Sequence, residues 1–174
     1  MKLRHLYIDR HLLLRDLDLQ FDRPGRLDLG QCALDFLVGV NGSGKTTVLR
    51  ALAQILLDLQ ADRITDFDYE LEYDLQGQDD PCRVLVSQTR EEDGNPNRHM
   101  TVWRSGSPDV SPIYDEADAI DQYYLPERVV IYTTGYETEW EKLLSEAFEP
   151  TAPSAAAESV LEDPVQRNVV ALPG

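Results

Sequence analysis

The residues most able to do chemistry in this chain stand in one run. Gly39, Val40, Asn41, Gly42, Ser43, Gly44, Lys45 and Thr46 spell G-x-x-x-x-G-K-[ST] without a departure. Glycines at these positions tolerate positive φ and let successive backbone N–H groups close around an anion. A helix starting near Gly44 would direct its positive end at the same anion. Lys45 is expected to reach the β and γ phosphates of a nucleoside triphosphate, and the Thr46 hydroxyl to ligate Mg²⁺. Asn41, Ser43 and Thr47 belong to the same contact set. The implied ligands are ATP and Mg²⁺, and Lys45 is the first catalytic candidate.

Such a loop works only between a strand and a helix, and the flanking sequence predicts both. Ala33 to Val38 reads as a short apolar strand entering the loop. After it, Val48, Leu49, Leu52, Ile55, Leu56 and Leu59 recur at helical spacing over about four turns. Ahead of the loop, Leu3, Leu6 and Ile8 open one strand. Leu17, Leu19 and Phe21 alternate with Asp16, Asp18 and Gln20 in a second, the period of a half-buried strand. Three more strand-like runs follow the helix. Tyr69, Leu71, Tyr73 and Leu75 alternate with polar residues, and runs at 83–89 and 99–104 follow turn signals at 77–81 and 93–96. They predict an antiparallel meander forming a lobe of its own. Residues 107–124 read as irregular or weakly helical. Residues 128–132 predict a further strand, and Trp140, Leu143, Leu144, Ala147 and Phe148 share one helical face behind a capping box at Thr138 and Glu141. From residue 149 the Pro-, Ala- and Glu-rich composition predicts a linker or disordered tail, with a possible strand start at 169–172.

Charge narrows the partners. The net charge is −16, with +1 over residues 1–59, −6 over 60–106 and −11 over 107–174. Nucleic acid selects basic surfaces, so DNA is expected only as an indirect partner. No apolar run approaches the roughly 18 residues of a membrane span, and the first residues do not form a signal peptide. Cys32 and Cys82 match no metal spacing and read as reduced core thiols of a cytoplasmic protein. His5, His11 and His99 are scattered, which favours surface or packing roles over metal binding. Gln88 reads as an exposed strand end. Tyr69, Tyr73, Tyr123, Tyr124 and Trp103 could stack a base, but the acidity around them favours packing.

The loop with its continuation, Gly-x-Asn-Gly-Ser-Gly-Lys-Thr-Thr, resembles the ABC-type ATPase heads of the SMC and RecF kind, and the AAA-labelled ATPases of bacterial repair and defence. The opening hairpin, with Leu3, Leu6, Ile8, Leu14, Asp16, Leu19 and Phe21, is similar to theirs. The resemblance covers residues 1–148. It implies an α/β fold: a P-loop NTPase-type mixed sheet with residues 33–38 central and an antiparallel insert over 67–104. It places Arg10 near the nucleotide, in a hairpin reading Arg10-His11-Leu12-Leu13. It also makes the loop after 128–132 similar to a Q-loop, bringing Thr134 and Glu137 beside the metal or the attacking water. The family's four apolar residues followed by Asp-Glu, and its serine-glycine signature, are not found. Asp115-Glu116 follows Ser111-Pro112-Ile113-Tyr114, and a proline argues against a central strand. The expectation is therefore an incomplete ABC-type head, an ATP-binding half that works with a second polypeptide or a missing C-terminal half. Two alternatives stand beside it, a complete small kinase resembling shikimate kinase and a nucleotide-sensing interaction module.

Overall fold

The structure is a computed structural model. It describes residues 1–21, 27–29, 32–76, 81–91, 94–105, 111–117 and 119–133, the single residues 140, 142 and 145, and residues 170–173. The chain divides into two compact units, Met1–Pro126 and Glu127–Gly174.

The first unit is built on a six-stranded antiparallel sheet. Its strands are β1 (Lys2–His11), β2 (Leu14–Gln20), β5 (Tyr69–Gln76), β6 (Pro81–Arg90), β7 (Pro96–Arg104) and β8 (Tyr114–Ala117), in the order β2-β1-β5-β6-β7-β8. A short hairpin of β3 (Leu27–Leu29) and β4 (Cys32–Leu34) precedes the helix α1 (Lys45–Gln60). The predicted meander is therefore present, but it does not stand apart. β5 pairs with β1, so hairpin and meander share one sheet.

Register explains the core. Leu6, Leu71, Val86 and Met100 form one cross-strand row, and Ile8, Tyr69, Gln88 and Arg98 form the next. Side chains alternate between faces along a strand, so these rows share one face. All eight residues are buried, and Leu6, Ile8, Leu71, Val84, Val86, Met100 and Val102 are sealed from solvent. Each such aliphatic side chain contributes about 1.5–3 kcal/mol by burial. The opposite face is polar. There His5 stands between Asp18 (3.1 Å) and Glu70 (3.2 Å), and His99 pairs with Asp115 at 2.9 Å.

The helix covers the apolar face. Of the predicted stripe, Val48, Ile55, Leu56 and Leu59 are buried, Leu52 is half-buried and Leu49 stays half exposed, while Ala51, outside the stripe, is fully buried. The last turn is stopped by Asp62 at φ 51°. Its N–H donates to Leu59 O (3.2 Å), and Arg63 N–H donates to Asp58 O (2.7 Å), the paired bonds of a Schellman ending. Arg98 holds Asp62 with a 2.5 Å ion pair and donates to Arg63 O at 3.2 Å. Gln88 spans the same connection. Its amide donates to Thr65 O (2.8 Å) and Phe67 O (3.0 Å) and accepts from Thr65 N (3.1 Å). Gln88 is thus no exposed strand end but a fully buried clasp between β6 and the segment leaving α1. Buried backbone groups need partners, and the end of a helix supplies several that lack them.

Three further expectations are corrected. Residues 35–40 form no strand, and the sheet has no parallel pair at its centre. Residues 107–124 contain the edge strand β8 and a 3-10 turn, Gln122–Tyr124. In the second unit, β9 (Val130–Thr133) pairs parallel with β10 (Val170–Pro173), so the strand start expected at 169–172 is present. Trp140 is buried, and Lys142 and Ser145 are helical as predicted. The rest of that helix lies outside the described residues. No helix among the described residues is long and apolar enough to cross a membrane.

Candidate functional site

The loop geometry follows from its glycines. Gly42 and Gly44 take φ 80° and 87°, in the left-handed region that costs other L-residues energy. At Gly39, an added Cβ would come within 2.8 Å of Ser43 Oγ, so a side chain there would make the Ser43 hydroxyl rotate away. Ser43 N–H donates to Val40 O at 3.2 Å, closing the turn. Gly44 is the residue before α1, with no side chain capping the first turn and no acid within it. The exposed amide ends and the helix dipole therefore leave a positive terminus suited to an anion.

Lys45 turns back into the loop. Its ammonium donates to Gly39 O (2.8 Å) and Val40 O (2.7 Å). The charge thus sits over the same loop whose N–H groups would receive phosphate. Thr46 is exposed and Thr47 half-buried at the first turn of α1, and Asn41 and Gly42 are exposed at the loop tip. The strand side of the motif differs from expectation. Phe36, Val38 and Val40 are 75%, 92% and 78% exposed.

The β1–β2 hairpin lies against the loop. An added Cβ on Gly44 would meet Leu14 Cδ2 at 3.3 Å, so the start of β2 rests against the loop. Arg10 lies on this hairpin, exposed and directly opposite Arg15. Two like charges in register across an antiparallel pair destabilise it modestly. Between them Leu12 takes φ 51°, a conformation unusual for leucine, and both Leu12 and Leu13 are exposed at the tip. His11 packs on Phe67 with ring centroids 4.2 Å apart. Burial lowers its pKa, Arg50 adds to that, and Asp66 opposes it.

The structure thus brings residues 39–46 together with the hairpin carrying Arg10. Thr134 and Glu137 lie outside the described residues. Asp115 and Glu116 are exposed on β8, at the opposite edge of the sheet from β2. Five inter-strand steps separate those edges, roughly 24 Å at the usual spacing. Neither acid is within reach of a phosphate held against Leu14 and Gly44. Among the described residues no cluster of three or more His, Cys, Asp or Glu side chains could hold a metal. Thr46, the magnesium ligand expected from the sequence, stands exposed in the first turn of α1.

Sequence reasoning put Leu14 in the hairpin but not against the loop, and did not set Arg15 opposite Arg10. The pairing was legible once the turn was set at Leu12-Leu13, because register then pairs 10 with 15 and 11 with 14. Comparison of the chain with profiles of known families, with curated proteins and with solved structures finds no match.

Proposed function

We propose that this chain binds Mg-ATP in the loop of residues 39–46 and serves as the ATP-binding part of an ATPase head resembling the SMC and RecF kind. A second polypeptide or a C-terminal half would then supply the acid that orients water and the signature that closes over the nucleotide. The observation that carries this reading is the coincidence of motif and geometry. The full G-x-x-x-x-G-K-T sequence has left-handed glycines at 42 and 44, an uncapped helix start at Lys45, and an ammonium turned into the loop. Work in DNA repair or anti-phage defence follows from the resemblance of the loop and hairpin sequences, and the acidic surface makes any DNA contact indirect.

In this reading Lys45 exchanges its two carbonyl contacts for the β and γ phosphates, the Thr46 hydroxyl takes one position on Mg²⁺, and the amides of 42–46 receive phosphate oxygens. Arg10, with Arg15 beside it, extends the positive surface from the hairpin.

Titration of the purified chain with a fluorescent ATP analogue and Mg²⁺ tests the proposal. Binding is expected, with phosphate release no faster than in buffer. Lys45→Ala removes a charge-assisted contact and should weaken binding about 100-fold, near 3 kcal/mol. Affinity unchanged by that substitution would refute the loop as the site. Turnover that is lost on Glu116→Gln would show an internal catalytic acid and a different mechanism.

A further inference from the structure

The sheet's edge at β8 has features that no nucleotide chemistry uses. Among the described residues no strand pairs with the outer side of β8. Asp115, Glu116 and Ala117 are exposed along it. An edge strand presents unpaired N–H and C=O groups, which natural proteins commonly guard with short strands, charge, proline or a bulge, and a like-charged strand is kept off while an oppositely charged one is not. Here the strand Tyr-Asp-Glu-Ala carries carboxylates alone.

An aromatic shelf stands beside that edge. The Tyr124 ring lies 5.8 Å from Tyr114 and 5.2 Å from Tyr123, the latter edge-on at 86°. Tyr123 is 69% exposed. The shelf is fixed rather than loose. Tyr73 Oη donates to Tyr124 O at 2.9 Å, Gln122 donates to Leu59 O at 3.1 Å, and Asp121 accepts from Tyr123 N at 2.9 Å. Carboxylates lie within electrostatic reach of the rings. After burial, Asp121 and Glu116 raise the Tyr114 pKa, and Asp121 raises that of Tyr124. Residues 105–126 contain five acidic side chains and no basic one.

We propose that β8 accepts an extended arginine- and lysine-bearing polypeptide segment as an added strand. Main-chain bonds to the free edge supply the pairing. Tyr114 and Glu116 share one face of β8, since they are two residues apart. Cationic side chains at every second position of the added strand therefore meet that face, where tyrosine rings and carboxylates bind guanidinium or ammonium jointly. Charge excludes the other occupants. An acidic strand, including a second copy of this edge, would set like charges opposite one another.

The test uses the full chain and fluorescein-labelled peptides of Arg-Thr or Glu-Thr repeats, followed by anisotropy. The Arg-Thr peptide should bind, more weakly at high salt, and the Glu-Thr peptide should not. Tyr123→Ala and Glu116→Lys each replace an exposed side chain, so the thermal midpoint should hold while affinity falls about tenfold. An Arg-Thr peptide methylated at alternate backbone nitrogens keeps its charge and should lose binding. Equal binding of the two peptides, indifference to both substitutions, or full binding of the methylated peptide would overturn the proposal. So would a dimer that Glu116→Lys dissolves while no peptide binds, since the edge would then belong to a second copy.

Discussion

The strands β5–β7 and the segment entering the loop both carry apolar side chains, yet these end in opposite states. Leu71, Val86 and Met100 are sealed from solvent, whereas Phe36, Val38 and Val40 are largely exposed. The difference lies in their neighbours. β5, β6 and β7 follow one another through short connections, so each finds its antiparallel partner nearby in sequence. Residues 35–40 follow the small β3–β4 hairpin and meet no strand among the described residues. Apolar composition supplies a reason for burial, but burial also requires a surface within reach. The loop beyond keeps its shape through local bonds, from Ser43 N–H and Lys45 to carbonyls at 39 and 40. The sheet should therefore be stable by itself, and the loop should be the part that responds to ligand.

The largest effect expected from that contrast is at the centre of the sheet. Leu71→Ala opens a cavity in a fully buried row and should cost about 3 kcal/mol in chemical denaturation. The ATP-analogue affinity of the molecules that remain folded should not change. A matching loss of affinity would mean that sheet and loop are one cooperative unit.

Gln88→Leu comes next. It strands Thr65 N and Phe67 O, which Gln88 now satisfies, while Thr65 O keeps its bond from Arg90 (3.0 Å), and should cost about 2 kcal/mol. Hydrogen exchange should rise first in residues 61–68, at the exit of α1. Protection there equal to wild type would make the clasp redundant.

Arg15→Glu should act in opposite directions on the two regions. It turns a like-charge pair with Arg10 into an attractive one, raising stability by about 0.5 kcal/mol. It should also weaken the ATP analogue, because the hairpin rests against Gly44. Unchanged affinity would remove the arginine pair from the site.

The smallest effect is a pH dependence. Burial lowers the His11 pKa from its ordinary value of 6.5, so the folded state favours the neutral ring. Its contribution to stability is present above the unfolded pKa and is lost as pH falls through the lowered folded value. The thermal midpoint of the wild type should therefore fall more than that of His11→Phe as pH drops below 6.5. Phenylalanine keeps the packing on Phe67 without a titrating ring.

Much of this fold was legible because its signals are periodic and local. Alternation in 3–8, 17–21 and 69–75 gave strands in the right places, and the spacing from Val48 to Leu59 gave α1. The motif of residues 39–46 gave the turn, since only glycine enters the left-handed region at little cost. Side-chain clasps were not legible. Gln88 looked like an exposed end because nothing in its own strand names a partner 23 residues away. Arg15 was overlooked because its place opposite Arg10 comes from register alone.

Sequence by itself determined β1, β2, α1, the strands of the meander and the glycine geometry of the loop, since these depend on contacts within a few residues. Tertiary structure alone decided that the opening hairpin joins the meander in one sheet through β1 and β5, and that Gln88 and Arg98 hold the exit of α1. It also left Phe36 and Val38 exposed and placed Asp115 and Glu116 on the edge farthest from β2. Those outcomes depend on which surfaces meet across the fold, and neither periodicity nor a motif carries that information.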